Sequence, residues 1–81
     1  MTTVPNPFTE KITVQFNSSY KGNAEIHITN LAGVILLQKQ FTINKGINNL
    51  YIDGLANLTK GIYVAHLIVN GKTIETKKII K

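Results

Sequence analysis

The sequence predicts an all-β domain, a small antiparallel immunoglobulin-like β-sandwich of six to seven strands, and three observations carry that expectation. Its 81 residues are 43% hydrophobic and only 16% charged, too apolar for a disordered chain and rich in Ile, Val and Thr. Short alternating runs recur at hairpin spacing, separated by Gly, Asn and Ser. No segment shows the apolar period of an amphipathic helix. A small open barrel is the alternative way to close so many short strands.

Taken in order, Lys11 to Phe16 alternate strictly, placing Ile12, Val14 and Phe16 on one face and Lys11, Thr13 and Gln15 on the other. Turn residues Asn17 to Asn23 follow, and Ala24, Ile26 and Ile28 then alternate with Glu25, His27 and Thr29. Asn30-Leu31-Ala32-Gly33 makes a tight turn in which Gly33 accepts positive φ. In the next strand, Val34 to Ile43, Val34 and Leu36 share one phase and Phe41 and Ile43 the other, so a bulge near Leu37 to Lys39 is expected. Leu50 and Ile52 mark a short strand. Ile62 to Val69 is apolar on nearly both faces and belongs in the middle of a sheet. Asn70-Gly71 predicts a type I′ hairpin into a last strand from Lys72 to Ile80. The expected core contains Ile12, Val14, Phe16, Ile26, Ile28, Tyr63 and Leu67.

Size and composition narrow the function. A chain this short buries roughly 60 to 65% of its unfolded surface, enough for one core but not for a deep substrate cleft. No cysteine is present, which removes disulfides and thiolate metal sites. The longest apolar runs, Leu31 to Leu37 and Ile62 to Val69, fall far short of the roughly 20 residues of a membrane-spanning helix. All nine basic residues are lysines, against four acidic ones, for a net charge of +5. Without arginine, bidentate reading of guanine or phosphate is missing, so no nucleic-acid partner is expected.

Chemistry-bearing residues are few. Glu10, Glu25, Asp53, Glu75, His27 and His66 are the candidates for acid–base or metal work. Glu25 and His27 project from one strand face, and His66 lies on a central strand that could face them. Such spacing describes a solvent-face His27 and a partly covered His66 better than a metal centre, and neither metal nor cofactor is expected. Phe16, Phe41 and Tyr63 fall in core phases, which leaves Tyr20 and Tyr51 as the exposed aromatic pair. Gly61 and Gly71 are too isolated to cradle a phosphate and read as turn glycines.

Five short motifs occur in a fixed order: Val4-Pro5-Asn6-Pro7-Phe8, Asn30-Leu31-Ala32-Gly33, Gly61-Ile62-Tyr63, Asn70-Gly71-Lys72 and Lys77-Lys78-Ile79-Ile80-Lys81. In that order and spacing the chain resembles a type A C-terminal sorting domain of the type IX (Por) secretion system, across residues 5 to 81. The resemblance implies a non-catalytic delivery signal at the C-terminus of exported cargo in Bacteroidetes-type bacteria. It implies an N-terminal cargo domain that enters the periplasm by its own signal peptide. Partners would be the outer-membrane translocon with its shuttle components and a cell-surface sortase that removes the domain. The cargo would end at the cell surface or be secreted.

Carried over residue by residue, Pro5, Asn6 and Pro7 match the opening motif, Gly33 the mid-domain turn, and Gly61 and Tyr63 the Gly-x-Tyr motif. Gly71, Lys72, Lys78, Ile79, Ile80 and Lys81 match the C-terminal signal. Many members carry an aromatic residue before Pro-Asn-Pro, and here Val4 stands there. Residues 1–4 are expected to be a linker remnant, and the sortase cut to fall upstream of Pro5. Pro5 and Pro7 are expected to stiffen an extended connection to the cargo. The last strand is expected to form a sheet edge that offers a template to a partner. Removing Lys78 to Lys81 should then leave most of the sandwich folded. The competing reading is a carbohydrate-binding module using Tyr51 or Tyr20.

Overall fold

A computed structural model describes residues 1–81. Its strands are β1 (Thr2–Val4), β2 (Ile12–Ser18), β3 (Gly22–Thr29), β4 (Ile35–Ile43), β5 (Gly46–Ile52), β6 (Ile62–Val69) and β7 (Lys72–Ile80). All pairings are antiparallel, giving a three-stranded sheet in the order β1-β2-β5 and a four-stranded sheet in the order β4-β3-β6-β7. Consecutive β2 and β3 lie in opposite sheets while β5 returns beside β2, which is the cross-over pattern of an immunoglobulin-like sandwich.

Alternation decides what lies between the sheets. Ile12, Val14 and Phe16 from β2, Ile26 and Ile28 from β3, and Tyr63 and Leu67 from β6 are all buried, as their phases predict. Phe41 is half-buried against that cluster. β6 lies between β3 and β7, with the outward residues Val64, His66 and Ile68 half-covered. Asn70 and Gly71 have φ of 49° and 81°, the two positive values that a type I′ turn needs. Thr2–Val4 adds a short strand that was not anticipated, with Thr3 buried opposite Val14. β5 runs two turns of pleat longer than Leu50 and Ile52 alone suggest.

The bulge expected near Leu37 to Lys39 of β4 lies at Leu36, one residue earlier. Ile28 pairs with Leu37 and Thr29 with Ile35, so Leu36 is the extra residue. It does not turn the early part of β4 inward: Val34, Ile35 and Leu36 stay 55, 50 and 41% exposed. The reason is coverage. A four-stranded sheet faces a three-stranded one, and β4 is its edge strand, whose first residues stay open to solvent. A second irregularity makes Ile74 the extra residue in β7, opposite Leu67 and Ile68.

Both edges of the larger sheet carry charges in the inward phase, which discourages edge-to-edge pairing. Lys39 of β4 pairs with buried Ile26, and its Nζ donates to the Tyr51 carbonyl of β5 at 3.1 Å. On β7, Glu75 and Lys77 pair with Leu67 and Ala65. The free backbone of β7 is thus a guarded edge.

Candidate functional site

The motifs at the start and end of the chain meet at one end of the sandwich. Leaving β1, the chain passes Pro5 and turns back on β7, where the Asn6 Oδ1 accepts the Ile80 amide at 2.9 Å. The Phe8 amide in turn donates to the Ile80 carbonyl at 2.8 Å. The last backbone groups of β7 are therefore bracketed by the opening motif. This segment is docked, not an extended arm: Phe8 is 1% exposed.

Phe8 reaches Tyr63, with ring centroids 6.1 Å apart at 63°, an edge-to-face contact. Tyr63 is buried opposite Ile79, also buried, and its hydroxyl donates to the Thr59 carbonyl at 2.5 Å. Gly61 exchanges two backbone bonds with Lys81, at 2.9 and 3.2 Å. The Lys81 Nζ donates to the carbonyls of Leu55, Ala56 and Leu58 at 2.7, 2.9 and 2.7 Å, closing the loop between β5 and β6. Pro5, Asn6, Pro7, Gly61, Tyr63, Ile79, Ile80 and Lys81 thus form one structural knot.

Two side chains at this knot look outward. Lys78 pairs with Val64 and Ile80 with Ile62, on the outer face of the larger sheet, where Ile80 and Ile62 are 48 and 45% exposed. Gly33 lies at the same end but on the far edge, in the turn to β4, with φ of 85°. There the Asn30 Oδ1 accepts the amides of Ala32 and Val34. Gly71 and Lys72 lie at the opposite end, beside Asn23, whose amide is accepted by the Asn70 Oδ1 at 3.2 Å. These two motifs are hairpin turns, separate from the knot.

Phe8, Thr59 and Leu55 are members of this junction that sequence reasoning passed over. Phe8 carried a signal, a large apolar residue directly after Pro-Asn-Pro. Leu55, fully buried, sits in a loop that looks polar in sequence. Asn6 offers a small, clean test. Asn6→Ala should cost about 1 kcal/mol, the net worth of one hydrogen bond, and should accelerate amide exchange selectively at Ile80.

The histidines make no comparable cluster. His27 and His66 are direct cross-strand partners, and both are half-buried, so His27 is more covered than a solvent-face residue. The His66 Nε2 lies 2.9 Å from the Thr29 Oγ1, and the His27 Nε2 lies 3.7 Å from Glu25. No group of three His, Cys, Asp or Glu side chains is placed to hold a metal ion. Tyr20 and Tyr51 are both exposed but do not share a platform. Tyr51 pairs with Thr13 while Tyr20 follows Ser18, about 17 Å further along β2.

The opening motif, the Gly-x-Tyr motif and the last residues of the closing motif thus converge on the seam between the first and last segments of a small β-sandwich. Residues 3–81 match the family model of the secretion system C-terminal sorting domain, and the chain belongs to that family, the sorting signals of type IX secretion. The match begins at Thr3, within β1. No curated protein and no solved structure matches the chain. Membership marks the protein that carries this domain for secretion or the cell surface. No helix is long and apolar enough to cross a membrane.

Proposed function

We propose that this domain directs a cargo joined to its N-terminal side through the outer-membrane type IX translocon, with shuttle components, after periplasmic transit. A cell-surface sortase then removes it. The role needs no catalytic group and no cofactor in this chain. The observation that carries the proposal is the family match over residues 3–81, together with the convergence of the opening and closing motifs on one knot. The sortase cut is proposed to fall upstream of Pro5, and the pairing of Thr2–Val4 into a sheet supports a position before β1. An extended substrate strand is not available within it.

Within the closing motif, the proposal assigns scaffold and docking roles to different residues. Ile79 is buried and Lys81 is spent on three carbonyls, so both hold the fold. Lys78 and Ile80, on the outer face with Ile62, are the groups a partner would meet. The partner they fit is a protein surface with an apolar centre and acidic rim.

Residues 1–81 fused behind a signal peptide and a fluorescent reporter should suffice for export in a host with a working type IX system. Lys78→Glu combined with Ile80→Asn should weaken docking by about tenfold or more, the loss of about 1.4 kcal/mol, while the domain keeps its melting midpoint. The readout is reporter fluorescence in medium, surface and periplasmic fractions. Periplasmic retention of the folded unsubstituted fusion, in a host exporting its own cargo, overturns the proposal.

A further inference from the structure

A cleft of about 360 Å³ lies where β2 and β5 of the smaller sheet meet Lys39 of β4; it is bordered by Pro5 and lined by none of the knot's other residues. Its walls include Lys11, Thr13, Lys39, Tyr51 and Asp53. Tyr51 is 66% exposed, an aromatic ring standing free on a sheet face. Lys39 is held in place by its bond to the Tyr51 carbonyl at 3.1 Å and lies over the Phe41 ring at 5.5 Å. The carboxylate contacts within 4.0 Å are Glu75 with the N-terminal ammonium and Glu25 with the His27 ring, so neither Lys11 nor Lys39 has a carboxylate partner. Two unpaired ammonium groups thus flank an exposed ring and a carboxylate.

We infer that this cleft binds an acidic sugar residue, a pyranose ring bearing a carboxylate or a phosphate. Each wall has a matching group. The C–H face of a pyranose packs on the Tyr51 ring, the Asp53 carboxylate and the Thr13 hydroxyl accept from sugar hydroxyls, and the two lysines pair with the acid. A polyanion fits less well. Asp53 stands in the cleft, only one ring is available for stacking, and no arginine is present to fork onto phosphates. This binding is separate from sorting and does not use Lys78 or Ile80.

The test is a titration of the 81-residue protein at low salt, followed by NMR, with monomeric galacturonate, glucose 6-phosphate, maltotriose and inorganic phosphate as probes. Saturable shifts at Lys11, Thr13, Tyr51 and Asp53 are expected with one or both acidic sugars. The tighter of those two identifies a uronate or a phosphorylated sugar as the source. Maltotriose should bind about tenfold more weakly or worse, and Lys11→Gln and Tyr51→Ala should each cost about tenfold, or about 1.4 kcal/mol. Lys45→Gln, at the opposite end of the sheet, should change nothing, and unchanged melting midpoints show that the variants fold. Three results overturn the proposal: no saturable shift with either acidic sugar, inorganic phosphate binding as tightly as the sugars, or Tyr51→Ala binding as tightly as the unsubstituted chain.

Discussion

Deletion of Lys78 to Lys81 is expected to abolish cooperative folding, not merely export. The tetrapeptide contains Ile79, fully buried, whose loss as a side chain alone costs about 2–5 kcal/mol. It also supplies the Ile80 amide and carbonyl held by Asn6 and Phe8, and both backbone bonds to Gly61. The Lys81 ammonium that closes the loop through three carbonyls goes with it. An 81-residue domain holds only about 4–12 kcal/mol in total, so the sum of these losses meets or exceeds the whole. The expectation that most of the sandwich survives this truncation therefore gives way to the opposite expectation, loss of the folded state. The check is a thermal scan with one-dimensional NMR: a sharp transition near the intact midpoint would show the tail to be dispensable. The consequence for secretion experiments is direct, since lost export of the truncated chain reports unfolding and says nothing about which residues a translocon reads.

Some elements could be read from residues alone because their signals are local. The hairpin of β6 and β7 is bounded by Asn70-Gly71, a pair whose backbone preference dictates the turn, and both flanking strands have the bounds the sequence predicts. The strict alternation of β2 and β3 likewise names its own buried face. β4 was misjudged because the rule that apolar phases seek cover presumes a sheet overhead. At a sheet edge Val34 and Leu36 stay out. β1 had no local signal, since three residues acquire strand character only by pairing with β2, ten residues on.

The site was legible as a set of motifs and illegible as a surface. Ile79 and Ile80 are adjacent and chemically identical, and only the register with Tyr63 and Ile62 decides that the first is core and the second is exposed. Lys81 reads in sequence as one more solvated cation. Its three carbonyl partners lie 23 to 26 residues away in a loop, a contact that no spacing rule anticipates. The docking of Pro5 to Phe8 on β7 is non-local in the same way, spanning 74 residues from Asn6 to Ile80.

Tyr63→Ala should be the most damaging single substitution at the knot, costing about 3–5 kcal/mol as a large aromatic side chain leaves a packed interior. Three separable contributions make up the loss. The ring is buried opposite Ile79, it meets Phe8 edge-to-face for about 0.5–1.5 kcal/mol beyond burial, and its hydroxyl donates to the Thr59 carbonyl for about 1 kcal/mol. Tyr63→Phe keeps the first two and removes the third, so it should cost only about 1 kcal/mol. Denaturant titrations of the two variants measure the difference, and an unchanged slope confirms that both unfold from a comparably compact state. If Tyr63→Ala kept the intact midpoint, the Gly-x-Tyr motif would be a surface feature and the ring no part of the core. In a reporter fusion the same pair divides folding from recognition. Tyr63→Phe leaves Lys78 and Ile80 in place and should be exported like the unsubstituted domain, whereas Tyr63→Ala loosens the knot that presents them and should be retained.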